Sequence, residues 1–507
     1  MSQRKGGTIL SYIYILISNI VSLMYTPFML NMLGQSEYGL YGTATSFTSY
    51  LSILGFGIGG AYIRFNAQYR AKKDRDGENR LNGMFLIVFS GLSLLVLFGG
   101  IILIILSGIL TQNTFTADEL FKLRVIIGLL TLNTMVTFVA NVVMMALQAY
   151  EQFIFIRSVL IVTALLTPIA NIVVLFLGGK AIAISAISVI ISILAYILYY
   201  IYARAKIDLK FCFRGFDWNV VKEIFIFSSF LFINSITDQI TSSTDSVVLS
   251  AVKGTVSVAI YTVGASFVRY FSSFASVVAG VFAPQVNQSV ALKEDISELD
   301  HIFIKIGRIQ FYIVSLILIG YSSIGRQFVI VWAGQDYSES FWIGLILIIS
   351  AFIPCIQSVG VEIQKALNKH KVRSIVYLFV ALANIALTIP FAQWWDGIGA
   401  AAATLLCVVL GQVIFMNIYY YKSIRLNIPA FWKSILSILP GYIMPCLTGF
   451  LINRFWKLDS LVEILAAAVI ITGVFCISVW FISMNRYERD LFIKPLKRGY
   501  LSLKNRL

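Results

Sequence analysis

GMFLIVFSGLSLLVLFGGIILIILSGIL, residues 83–110, decides the fold, because its twenty-eight residues contain no charged side chain. At ~1.5 Å per residue a helix of this length extends ~42 Å, more than the ~30 Å hydrocarbon core of a bilayer. Similar apolar stretches recur on both sides of it. The others fall at residues 8–30, 39–62, 125–149, 158–177, 181–202, 224–251, 260–283, 309–331, 342–364, 374–393, 398–420, 434–453 and 461–483. The chain has 507 residues, 59% apolar and only 12% charged, which excludes a soluble domain of this size. The expectation is an all-α polytopic membrane protein of about fourteen transmembrane helices.

Lysine and arginine are retained on the cytoplasmic side during insertion. With the N-terminus inside, the cytoplasmic segments carry 31 of the 39 Lys/Arg, the external loops carry 7, and Arg269 falls within a span. Both termini are therefore expected in the cytoplasm. The net charge of +15 follows from topology, and its spread over eight segments gives no reason to invoke nucleic acid. Residues 8–30 are too long for a signal-peptide core and lack a small-residue cleavage site, so they read as the first span. The five cysteines are scattered and the two histidines lack ligand partners at metal spacing, which predicts no disulfide framework, no metal site and no cofactor.

Shifting the chain against itself by 220 residues brings Gly34 onto Gly254, Tyr41 onto Tyr261, Ser46-Phe47 onto Ser266-Phe267 and Tyr50 onto Tyr270. The same register pairs Ala146-Leu147 with Ala366-Leu367, and Gly179, Ala181 and Ala183 with Gly399, Ala401 and Ala403. Six spans separate the copies, so the repeat is parallel. The expected organisation is an N-lobe over 1–205, a cytoplasmic linker over 206–223 and a C-lobe over 224–422. Two appended helices over 423–483 and a basic cytoplasmic tail over 484–507 follow. Two like lobes suit a transporter that exposes a cleft alternately to either side.

Charges inside spans are costly and mark a pathway or a pair. Arg269 lies about ten residues into the eighth span, ~14 Å below the external surface by helical rise. In the seventh span Asn234, Asp238, Thr241, Ser242 and Asp245 recur every three or four residues, a polar stripe suited to a cavity. Arg269 reads equally as a bidentate phosphate contact and as the partner of Asp238 or Asp245. Asp238 and Asp245 are the candidates for counter-charge or ion coupling. Arg64, closing the second span on the cytoplasmic side, is a second candidate contact for an arriving pyrophosphate. Glu362 and Lys365, three apart on one helix, read as local stabilisation.

The run MLGQSEYGLY, residues 32–41, then LGFG at 54–57, and the stretch from Asp238 to Asp245 continuing through Gly254 to Tyr261 resemble the Wzx-type flippases. These are the polysaccharide exporters of the multidrug/oligosaccharidyl-lipid/polysaccharide superfamily. The resemblance spans the chain and agrees with six, six and two helices. It implies flipping of an undecaprenyl-pyrophosphate-linked oligosaccharide for O-antigen, capsule or exopolysaccharide synthesis in a bacterial plasma membrane. It also implies basic cavity residues, for which Arg269 and Arg64 stand here. Expected partners are the lipid-linked glycan, membrane lipids, H+ or Na+ as coupling ion, and other glycan-assembly proteins. A multidrug/cation antiporter shares the two-lobed plan but normally stops at twelve helices. A membrane-bound glycan polymerase or glycosyltransferase would need a catalytic surface, and the external loops are short, without an acidic constellation. The chain is expected not to be an enzyme.

Overall fold

The computed structural model describes residues 3–55, 58–215, 218–292, 296–367, 369, 371–491 and 493. Residues 494–507 of the expected basic tail lie outside this set. The helices in chain order are α1 (Gln3–Ser49), α2 (Ile58–Ala71), α3 (Arg75–Thr111), α4 (Ala117–Ala149), α5 (Phe153–Phe176), α6 (Ala181–Ile207), α7 (Trp218–Val252) and α8 (Thr255–Ala291). There follow α9 (Ile296–Ala333), α10 (Ser340–Ile356), α11 (Ser358–Ala366), α12 (Lys371–Val408), α13 (Met416–Tyr419), α14 (Ile428–Leu436), α15 (Ile443–Phe455) and α16 (Leu461–Ser478).

Ten helical segments among the described residues are long and apolar enough to cross a membrane. Two of them, Gly6–Ala71 and Lys371–Ile424, are each a pair of passes joined at a break. Counting both members of each pair and adding α7 and α8, of 35 and 37 residues, gives fourteen helical segments long enough for a pass among the described residues, the number expected. The first break is Gly34, at φ 73° and ψ 171°, a conformation that a Cβ would strain. The second is Trp395-Asp396 in α12, where Asp396 has φ 53°.

Helix α3 shows why the stretch at 83–110 suits lipid. Leu94, Phe98, Ile102, Ile105 and Ile109, three or four apart, are exposed along one face. Phe89, Ser93, Val96, Gly100, Ser107 and Thr111 are buried on the other. A Cβ on Gly100 would sit 2.4 Å from Cγ2 of Thr131, so α4 packs directly on that face.

Two compact units emerge. The first comprises Met1–Thr262 with Asn384–Ala400, the second Val263–Ala383 with Ala401–Leu507. In the first unit the run at 32–41 is a structural knot. Glu37, 6% exposed, accepts from Lys122 Nζ at 2.9 Å and from the Ala181 amide at 3.3 Å. Ser36 donates at 2.6 Å, and Thr255 at 3.2 Å, to Oε1 of Glu119, whose other oxygen closes a capping box with Thr116. A Cβ on Gly39 would fall 1.9 Å from the Thr255 carbonyl oxygen, so only glycine fits. Elsewhere Tyr62, fully buried, stacks edge-on to Phe85 and donates to Asn82 at 2.6 Å. Asn82 in turn donates to the Lys210 carbonyl at 3.0 Å, and the Cys212 amide reaches Asn79 O at 2.8 Å, docking the segment after α6 onto the start of α3.

In the second unit α9 is the central helix. Its buried Phe311 lies against Phe352 and Tyr442, and Tyr442 stacks on Phe475 of α16, an aromatic chain through the unit. At its basic end Arg308, 7% exposed, forms a two-point ion pair with Glu488, 3% exposed, using Nε to Oε1 and Nη2 to Oε2. The remaining guanidinium N–H groups reach the Ser434 carbonyl at 2.9 Å, Ser437 Oγ at 3.2 Å and the Ser483 carbonyl at 3.1 Å. Tyr312 adds a hydroxyl to Glu488 at 3.0 Å. One cluster thereby ties α9, α14 and the segment leaving α16.

Glycines matched by the 220-residue shift behave alike: Gly34 has φ 73° and Gly254 has φ 93°. Phe47 and Phe267 are both buried, as are Ala181 and Ala401.

Candidate functional site

The polar stripe of α7 does not have one environment. Asp238 and Ser242 are exposed, Thr241 is half-buried, and Asp245 is buried at 3% exposure. The Asn234 side chain lies outside the described residues. Thr241 and Ser242 turn their hydroxyls back to the Thr237 and Gln239 carbonyls, at 2.9 and 3.2 Å, the usual recourse of a hydroxyl in an apolar helix. Asp245 lies seven residues before the end of α7 at Val252, ~10 Å along the helix.

Three side chains converge on the Asp245 carboxylate. Tyr261 Oη donates to Oδ2, while Thr388 Oγ1 at 3.1 Å and Asn384 Nδ2 at 3.2 Å donate to Oδ1. Asn384 and Thr388 are one turn apart on α12, so a single face of that helix presents both. Beyond them, Asp396 at the break accepts from Ser257 of α8 at 2.9 Å, which holds the end of that helix segment. The preceding residues of α7 interlock with the end of α1. Thr244 shares a hydrogen bond with Tyr50 at 2.7 Å, Ser49 donates to Ser243 at 3.0 Å, and Gln239 donates to Ser49 at 2.6 Å.

Tyr261, Thr388 and Asn384 are all neutral donors to this carboxylate.

Arg64 pairs with Glu223 at 2.6 Å, both side chains about half exposed at 52% and 53%. Arg269 is exposed and belongs to the second unit, fourteen residues beyond the start of α8 at Thr255, ~21 Å along the helix. Glu362 and Lys365 form the local pair expected of them, at 2.9 Å. The first unit thus gathers Asp238, Thr241, Ser242, Asp245 and Arg64, whereas Arg269 stands in the second. Sequence reading missed Asn384, Thr388 and Gln239 altogether, and noted Tyr261 only as a repeat partner and as the end of the stretch that carries the family resemblance. An Asn and a Thr four apart on an apolar helix was the available signal for the α12 pair.

Among solved structures, one of the lipid II flippase MurJ in an inward closed conformation superposes with a TM-score of 0.66 at 19% identity, over 96% of this chain and 99% of that one. An inward-facing multidrug resistance MATE family transporter of the MOP superfamily gives 0.60 at 13% identity, over 83% and 95%. At these identities the likeness establishes a shared multi-pass helical fold and nothing about cargo. In sequence the chain is 22% identical over 513 residues to the uncharacterized membrane protein EpsK of Bacillus subtilis (strain 168), covering 95% of this chain and 96% of that protein. The sequence profile of the polysaccharide biosynthesis protein family matches residues 5–290, more than half of the sequence, and the chain belongs to that family.

Proposed function

We propose that the protein is a flippase that carries an undecaprenyl-pyrophosphate-linked oligosaccharide repeat unit across the bacterial plasma membrane by alternating access. It delivers the unit outward for O-antigen, capsule or exopolysaccharide assembly and makes or breaks no covalent bond. Membership of the polysaccharide biosynthesis family, on a chain built of transmembrane passes, carries this reading. The fold shared with a lipid II flippase supports it. The excess of Lys/Arg on one set of loops supports an orientation with both termini in the cytoplasm.

Asp245 serves as the coupling carboxylate, taking a proton or Na+ as the transporter cycles, with Asp238 on the same helix as its accessory. Arg269 and Arg64 meet the pyrophosphate, Arg64 by exchanging Glu223 for substrate. The rival is a multidrug/cation antiporter, favoured by the two acids of α7 and by the MATE likeness. Proteoliposomes decide between them. The wild type is expected to translocate a radiolabelled undecaprenyl-pyrophosphate oligosaccharide, and Arg269→Ala to lose most of that activity. Exchange of organic cations for protons, with the lipid left untouched, would replace the flippase by the antiporter.

A further inference from the structure

A pocket of about 600 Å³ opens at the arginine-rich end of the first unit, away from Asp245. It is lined by Thr8 and Ser11 of α1, Arg70 of α2, Gln148 of α4 and Arg157 of α5. Its floor is tight, since a Cβ on Gly7 would lie 2.4 Å from the Phe153 Cβ and α1 therefore rests directly on the start of α5. The Gln3 side chain accepts from the Ile154 amide at 3.3 Å, holding the same junction.

The two arginines differ. Arg70 is fixed, one N–H on the Ala149 carbonyl and the guanidinium 4.2 Å over the Tyr150 ring. Arg157 is half-buried and, among the described residues, forms neither an ion pair nor a hydrogen bond. A guanidinium partly withdrawn from water carries five N–H donors that need acceptors. Glu151 also lines the pocket, leaving its charged lining one positive charge in excess. A topology signal requires basic residues on that side of the membrane but no pocket around them. One turn deeper along α1, α4 and α5 lies a second cavity of about 500 Å³, lined by Tyr14, Ser18, Asn141, Thr163, Ser192 and Tyr196 without any charged side chain. Cationic chemistry is confined to the mouth.

We propose that this mouth binds a phosphate or pyrophosphate group at the cytoplasmic face, with Arg157 and Arg70 on its oxygens and Gln148 donating to the remainder, while the Ser11 hydroxyl is turned to the Gly7 carbonyl at 2.7 Å. A guanidinium fork matches two phosphate oxygens. The group comes from an anionic phospholipid headgroup or from a soluble phosphate compound.

The test is thermal unfolding of the purified full chain in a neutral detergent. It is titrated separately with short-chain phosphatidylglycerol, short-chain phosphatidylcholine and inorganic pyrophosphate. An increase in Tm with phosphatidylglycerol alone assigns the group to a lipid headgroup, and an increase with pyrophosphate assigns it to phosphate itself. In either case the midpoint concentration is expected to rise about tenfold in Arg157→Gln, and nearly as much in Arg157→Lys, which keeps the charge but not the fork. Should Arg157→Gln fail to fold, Gln148→Leu carries the same comparison. Equal midpoints in wild type and variant, no response to either anion, or an equal response to phosphatidylcholine overturns the proposal. Binding rather than translocation is read, so this result stands apart from the flippase assay.

Discussion

Two carboxylates are buried almost equally, Glu488 at 3% exposure in the second unit and Asp245 at 3% in the first, yet they are held in opposite ways. Glu488 receives both arms of Arg308, a full countercharge, and the cation is saturated in turn by backbone carbonyls and serine hydroxyls. Asp245 receives hydrogen bonds from a phenol, an amide and a hydroxyl. The first arrangement is closed: neither ion can leave without exposing the other, so it suits a permanent clamp at the ends of α9, α14 and α16. The second orients its carboxylate through neutral donors brought by α8 and α12.

The largest effect should come from opening the clamp. Arg308→Ala leaves Glu488 buried without its cation and is expected to cost about 3–5 kcal/mol of stability. Unfolding of the purified protein measures this, and the paired substitution Arg308→Met with Glu488→Leu should recover most of the loss. If the single variant unfolds like the wild type, the clamp is not structural. The next effect separates the two regions. Asp245→Asn keeps the shape and part of the hydrogen bonding, so stability should change by only about 1 kcal/mol, whereas translocation should fall at least tenfold. Unchanged transport in this variant would remove Asp245 from coupling and make the two carboxylates alike in being structural. The smallest effect concerns the exposed Arg64–Glu223 pair. Glu223→Ala is expected to alter stability by less than about 1 kcal/mol. Should Glu223→Ala leave transport intact while Arg64→Ala slows it, Arg64 acts on substrate rather than through its partner.

The passes were legible because hydropathy is a property of consecutive residues, and each stretch has to satisfy the bilayer by itself. The same holds for the glycine pair at 34 and 254, where two similar runs call for the same positive φ at the same turn. Part of the site was legible for a related reason: a helix of fixed pitch turns the spacing of Asp238, Thr241, Ser242 and Asp245 into one stripe. What spacing cannot state is which portion of a stripe another element will cover. Asp245 is buried where Tyr261 and α12 reach it, whereas Asp238, seven residues earlier, is exposed.

Partners distant in sequence were invisible for the same reason. Arg308 counted only as one more basic residue before the ninth span, and Glu488 fell within a segment expected to be a basic tail. They meet across 180 residues. Asn384 and Thr388 lie 139 and 143 residues from the carboxylate they hold. The sequence by itself determined how many times the chain crosses the membrane and where each crossing turns, since those follow from local apolarity and glycine geometry. Only the tertiary structure decided which buried carboxylate meets an arginine and which meets a phenol, an amide and a hydroxyl, because those contacts join helices far apart in the chain.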